Sequence, residues 1–201
     1  MKSISDIPPS AFTEVFLSLN RLSGEDGFAA WHFKKGMQFG ETEKWWEDGG
    51  NRTHPHEGVD FCFYMTDQGI RKSLAPGIFV PPLYDGKVVS VFDDLIGRTI
   101  LLQHGIFDEN NLQLYSLYGH VDPLPHIAGG AEVKYSGKIA AIADRALKKR
   151  PMPSHLHIST IWLSEGFPVE SFHWGMENNP DVFFSDPLHV LYQDNRWKLS
   201  L

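Results

Sequence analysis

His155-Leu156-His157 places two histidines two residues apart in an apolar, β-branched stretch that runs on to Leu163. Side chains at i and i+2 of a strand point to one face, about 7 Å apart along it. Two imidazoles therefore stand side by side, where one can bind a metal and the other can face its bound water. The bland alternative is a strand face that simply carries two histidines. His56-Glu57-Gly58-Val59-Asp60 offers a nitrogen donor and an oxygen donor. Zinc takes such donors at about 2.0–2.2 Å in a tetrahedron, so the two side chains must converge. A straight strand would hold i and i+4 about 13 Å apart, and Gly58 lets the chain bend between them. Spacing alone is weak evidence. His104 to Asp108 repeats the interval and His54-Pro55-His56 is a second H-x-H, and a chain with ten histidines produces about one of each by chance. Leu117-Tyr118-Gly119-His120 adds a histidine at the end of a predicted strand. No H-E-x-x-H is present, which removes the helix-borne glutamate base that this motif supplies.

Taken in order, H-x-G-x-D, then Y-x-H, then H-L-H resembles the lysostaphin/LytM family of zinc endopeptidases. Met37-Gln38-Phe39-Gly40 is similar to that family's opening segment. Asp85 to Val89 followed by Gly97 to Gly105 is similar to its central hairpin, and Ala131 to Ile139 to the strand pair ahead of H-x-H. The resemblance spans about residues 36 to 163. It implies that His56, Asp60 and His157 bind one Zn2+ and leave a fourth position open, as catalytic sites do. It also implies that His120 and His155 stand unligated beside the metal-bound water as proton acceptor and oxyanion stabiliser, in an order the sequence leaves open. The activity implied is a zinc metalloendopeptidase acting on peptidoglycan cross-bridges or stem peptides. A catalytically silent LytM-like binding or regulatory module and a metal-binding β protein with a non-peptide substrate are the alternatives. His54 rivals His56 as a ligand, although the glycine frame favours His56. His104 reads as structural. His32, His126, His173 and His189 have no partner spacing, and Trp45 and Trp46 either line a substrate groove or cover a core edge. Two departures from the family pattern flank the expected groove: the basic segment Asp144 to Ser154 replaces a Gly/Thr-rich turn, and Ile158-Ser159 replaces an aromatic-acidic pair.

Positioning these residues falls to a mainly β chain. Short apolar runs at Phe28 to Phe33, Phe61 to Met65, Gly86 to Phe92, Thr99 to Gln103, Leu112 to Leu117, Lys138 to Ile142 and Leu156 to Leu163 are strand candidates. Asp93 to Arg98 forms a turn between two of them. Pro8 to Asn20 predicts a short helix with Ser10 as its cap and Phe12, Val15, Phe16 and Leu19 at helical spacing. Asp144 to Arg150 reads as a brief helix or a basic loop, and the tail as irregular with one last strand near Val190. The expected class is a compact antiparallel β-sheet domain, a barrel-sandwich hybrid with a short N-terminal helix. Residues 1–26 form an N-terminal extension that could pack over the groove, 27–174 the metallopeptidase-like domain, and 175–201 a tail packed on it.

A chain of 201 residues can bury a core without disulfide staples, and the single Cys62 could form none internally. The net charge of -7 argues against nucleic acid held by a general basic surface. No apolar run approaches the roughly 18 residues of a membrane span. The opening residues lack the apolar core of a secretory signal, while the family is usually exported to the periplasm or cell wall. Location and oligomeric state stay open.

Overall fold

The structure, a computed structural model, describes residues 7–24, 27–47, 49–144, 152–191 and 197–199. It is mainly antiparallel β. The strands are β1 (Phe28–Phe33), β2 (Val59–Phe61), β3 (Phe63–Thr66), β4 (Arg71–Ser73), β5 (Phe79–Val80), β6 (Gly86–Asp93), β7 (Arg98–Phe107), β8 (Gln113–Pro123), β9 (Glu132–Val133), β10 (Ala140–Ile142), β11 (Leu156–Leu163), β12 (Val182–Ser185) and β13 (Trp197–Leu199); the helices are α1 (Phe12–Asn20) and α2 (Leu188–Leu191). A small sheet runs β13-β1-β3-β4, with β13 parallel to β1. The large sheet runs β12-β11-β8-β7-β6-β9, and β2 joins it on β11 while β10 bridges β8 and β5.

Period-2 alternation splits the large sheet into two chemistries. On β11, Leu156 and Ile158 join the main core with Tyr118, Ile100 and Leu102. The other face carries His155, His157 and Ser159 and then Ile161 and Leu163, which pack with Leu101, Tyr115 and Leu117 under Phe172 in a second core. The histidines thus occupy the polar end of a buried face that the chain from Phe167 onward covers. β11 is buried almost throughout, and its bounds are those the apolar run predicts.

The expected strand Phe61 to Met65 is two strands. Phe61 pairs with Leu156 in the large sheet and Phe63 with His32 in the small one, so the chain crosses between sheets at Cys62. β8 runs past His120 to Pro123 rather than ending there. Gly119 pairs with His157 on β11, whereas Val121 pairs with Ile142 on β10, and His120 makes the switch at φ +63°. The last strand expected near Val190 is instead α2, because Asp186 Oδ1 accepts the Leu188 N–H at 2.9 Å behind Pro187 and starts a helical turn. The predicted helix forms as α1. Ser10 stands one residue ahead of its N-cap Ala11, yet its hydroxyl accepts the Phe12 N–H at 3.1 Å and donates to the Leu83 carbonyl at 2.7 Å. Phe12 and Phe16 are buried in the main core, Phe12 against Phe61 at 6.1 Å. Because Phe61 and Asp60 alternate on β2, α1 packs on the side away from Asp60. The segment Asp144 to Arg150 lies outside the described residues after Asp144. No described helix is long and apolar enough to cross a membrane.

Candidate metal centre

Asp60 and His157 are direct cross-strand partners in the β2–β11 pairing, so both side chains project from the same face. His157 Nδ1 lies 2.8 Å from Asp60 Oδ1. His56, just ahead of β2, is held by its own backbone: its N–H donates to the Glu41 carbonyl at 2.9 Å and its carbonyl accepts the Gly40 N–H at 2.8 Å. Its ring brings Nε2 to 3.2 Å from Asp60 Oδ1 and 3.1 Å from His157 Nδ1. All three residues are buried. His54, the rival ligand, is exposed.

Gly58 makes this convergence possible through close approach. A Cβ there would lie 2.3 Å from the Ile158 carbonyl oxygen and 2.6 Å from His157 Nε2, and the residue is not among the glycines of positive φ. The glycine lets the His56 segment lie flat on β11, which is a different service from the bend expected of it.

The three donor atoms fit a small tetrahedral cation. Ligands at about 2.0–2.1 Å around zinc stand about 3.3 Å from one another, close to the 2.8, 3.1 and 3.2 Å seen here. Proton counting agrees. His56 Nδ1 lies 3.1 Å from the Gln38 carbonyl, a bond that requires the proton on Nδ1 and leaves Nε2 a bare lone pair. His157 Nε2 has Ser159 Oγ at 2.8 Å, which can take its proton and leave Nδ1 bare too. Three acceptors then face one point, and a cation satisfies all of them.

Asp60 is further tied through its other oxygen, with the Trp45 indole N–H donating to Oδ2 at 2.6 Å and Arg52 at 3.3 Å. Burial disfavours its charge, but the neighbouring imidazoles of His56, His155 and His157 outweigh burial and hold the carboxyl well below the usual carboxylate range. Burial pushes His157 down, against the pull of Asp60, which favours the neutral ring that binding a metal would require.

His120 and His155 flank the cluster with ring centroids 4.7 Å apart. His155 donates from Nδ1 to the Pro153 carbonyl at 2.8 Å and turns Nε2 to 3.5 Å from Asp60 Oδ1. His120 is gripped by Asp94 at two points: backbone N–H to Oδ2 at 2.7 Å and ring Nδ1 to Oδ1 at 3.1 Å. That grip accounts for a non-glycine residue held at positive φ within a strand. Asp94 also takes the Ile96 and Gly97 N–H groups at 2.9 and 2.8 Å and the Thr99 hydroxyl at 2.9 Å. Burial opposes its charge, but the His120 ring above all, with the His120 and Gly97 N–H groups, overrides burial and holds the carboxyl far below its ordinary range. His120 itself is lowered, burial outweighing the pull of Asp94, so its ring is neutral near pH 7.

All five predicted residues therefore converge on one groove of about 420 Å3, also lined by Trp46, Arg52, Leu95, Met152 and Trp174. His104 stays out of it, buried between the Asp85 carbonyl at 3.0 Å and Ser116 Oγ at 2.7 Å. Asp94, Trp45 and Trp174 were not singled out from sequence as partners of these histidines. Asp94 was legible only as part of a turn, and nothing in its spacing links it to His120.

No family model matches the chain, and no curated protein matches it. Among solved structures it is similar to the catalytic domain of the antimicrobial peptidase lysostaphin from Staphylococcus simulans, at 19% identity over 78% of this chain and 90% of that one, TM-score 0.48. It is also similar to a catalytic domain of the prophage-encoded M23 protein EnpA from Enterococcus faecalis, at 20% identity over 66% and 85% of the two chains, TM-score 0.38. Csd3 from Helicobacter pylori is similar at 17% identity over 69% of this chain and 34% of that one, TM-score 0.37. The functional reading rests on the site's own residues.

Proposed function

We propose that this chain is a zinc metalloendopeptidase of the lysostaphin/LytM type, with His56, Asp60 and His157 holding one Zn2+ and His120 and His155 serving the chemistry. The observation that carries the proposal is the convergence of His56 Nε2, Asp60 Oδ1 and His157 Nδ1 within 3.2 Å of one another. Peptide bonds of peptidoglycan cross-bridges or stem peptides are the proposed substrates, following the order of motifs in the sequence.

A zinc ion in this site supplies Lewis-acid polarisation of a carbonyl and brings the pKa of a water towards about 7. The remaining work belongs to the side chains. His120, with Nδ1 committed to Asp94, presents Nε2 as the proton acceptor, and the adjacent carboxylate stabilises the imidazolium that forms. His155, anchored by Nδ1–H donation to the Pro153 carbonyl, turns Nε2 towards the same face and steadies a developing oxyanion when that nitrogen also carries a proton. Trp45 and Arg52 hold Asp60 so that only Oδ1 turns to the cluster. Asp94 Oδ1 on the His120 ring orients an imidazole that a silent binding module does not need, which favours an enzyme.

The test is metal analysis of the purified protein beside cleavage of purified peptidoglycan, repeated with Asp60→Ala. About one zinc per chain, lost in the variant together with cleavage, is the expected result. A full zinc complement in Asp60→Ala would overturn the ligand assignment. Zinc without any peptide cleavage would move the reading to the binding module.

A further inference from the structure

The groove beside the cluster has a chemistry of its own. Outside the cluster four apolar side chains line it, Trp46, Leu95, Met152 and Trp174, each from a separate segment of the chain, together with the charged Arg52, Glu57 and Asp94. Leu95 stands 60% exposed at the tip of the β6–β7 turn. Trp174 is fixed, its indole N–H donating to Thr99 Oγ1 at 3.0 Å and its ring edge-on to His157 at 5.3 Å. Trp46 is fixed as well, with the Arg52 guanidinium 4.8 Å from its ring. Two of the charged groups are already engaged, Arg52 with the Gly36 and Glu43 carbonyls and Asp60, and Asp94 with His120 and Thr99, while Glu57 adds a carboxyl to the lining. Beside that carboxyl, what the walls offer a ligand is apolar surface, and its two indoles are held in place before anything binds.

A strand of glycines would lay only backbone on these walls and leave the indoles wet. An alkyl side chain of leucine size would cover them. We propose that the groove selects a peptide strand carrying an apolar side chain next to the His/Asp cluster, over a run of glycines. The proposal rests on the peptidase reading for the bond that is cut, and on the walls alone for the choice of side chain. Burying one leucine side chain gives about a tenfold preference or more.

The probes are acetylated, amidated pentapeptides of glycine with glycine, alanine or leucine at the centre. Their affinities are measured by NMR titration of the full chain, with zinc and after chelation, and their cleavage is followed separately. Affinity rises from glycine through alanine to leucine by about tenfold. Trp174→Ala cuts that preference to about threefold or less, and Trp174→Phe keeps most of it. Phe183→Ser, at an exposed residue of β12, leaves it unchanged. Equal affinity for the glycine and leucine peptides, no binding of either, or a preference that survives Trp174→Ala would each overturn the proposal. Selective binding without cleavage by the zinc-loaded chain supports the groove's preference and overturns the peptidase reading alone.

Discussion

At Gly58, the smallest residue in the H-x-G-x-D frame, one methyl group decides whether the site exists. A Cβ would enter the Ile158 carbonyl and the His157 ring, and neither β11 backbone nor a buried imidazole can yield cheaply. Gly58→Ala is expected to cost about 1–3 kcal/mol through overpacking and to lower zinc content, read by denaturant titration and metal analysis of one preparation. A variant with wild-type stability and full zinc would show that the segment tolerates a shift. Asp94 makes the complementary case, since it touches His120 and none of the three proposed ligands. Asp94→Ala should retain about one zinc per chain while turnover falls by about 10–100-fold, the range for loss of a partner that orients a functional imidazole. Loss of zinc in step with turnover would reduce Asp94 to a support of the β6–β7 turn.

At the level of strands and helices, β7 supplies a pH-sensitive point remote from the groove. His104 is sealed between the Asp85 carbonyl and Ser116 Oγ, and burial pushes its pKa from 6.5 down to about 4. Above pH 6.5 folded and unfolded chains are both neutral there and the group is silent. As pH falls from 6.5 towards 4 the unfolded chain takes up a proton that the folded chain refuses, so stability drops, on the order of 3 kcal/mol in full. His104→Gln should lower stability at pH 7 but flatten the decline between pH 7 and 4.5, measured as denaturant midpoints in chelator. An unchanged slope would assign the decline to other groups. Elements like β1 and β11 were legible because each is a continuous apolar run whose limits follow from its own residues. The break at Cys62 was not, since it is set by two partners, Leu156 and His32, that lie far away in sequence. The proposed ligand frame was legible for the same local reason, as His56 to Asp60 and His155 to His157 each carry their own spacing. Asp94 with His120 and Trp174 with Thr99 arise only when β6, β7, β8 and the covering segment come together. At Asp186-Pro187 the cap signal is local, but a proline interrupts a strand as readily as it opens a helix, so those two residues alone leave the outcome open.

Over the whole molecule, the proposed zinc site joins parts that the two cores hold only from behind. Val59 and Phe61 of β2 share the main core with Leu156 and Ile158 of β11, and Ile161 and Leu163 carry β11 on into the second, while the opposite face of their junction holds three acceptor side chains pointing at one another. Without a cation those acceptors repel or must share a proton, so a cation adds stability where β2 meets β11. A ligand that binds only the folded chain adds stability as RT ln(1 + [L]/Kd), about 2.7 kcal/mol at a hundredfold excess over Kd. For a chain of this size each kcal/mol moves Tm by about 2–4 °C, so zinc should raise Tm by about 5–10 °C, chelation should remove the gain, and Asp60→Ala should show none. The gain should also be local. Amide exchange should slow at residues 56–61 and 155–159 on adding zinc, while the β1-β3-β4 sheet, which contributes no ligand, keeps its rates. A Tm gain retained in Asp60→Ala, or protection spread evenly over both sheets, would mean that zinc binds elsewhere, and the histidine face would then have to be explained as packing alone.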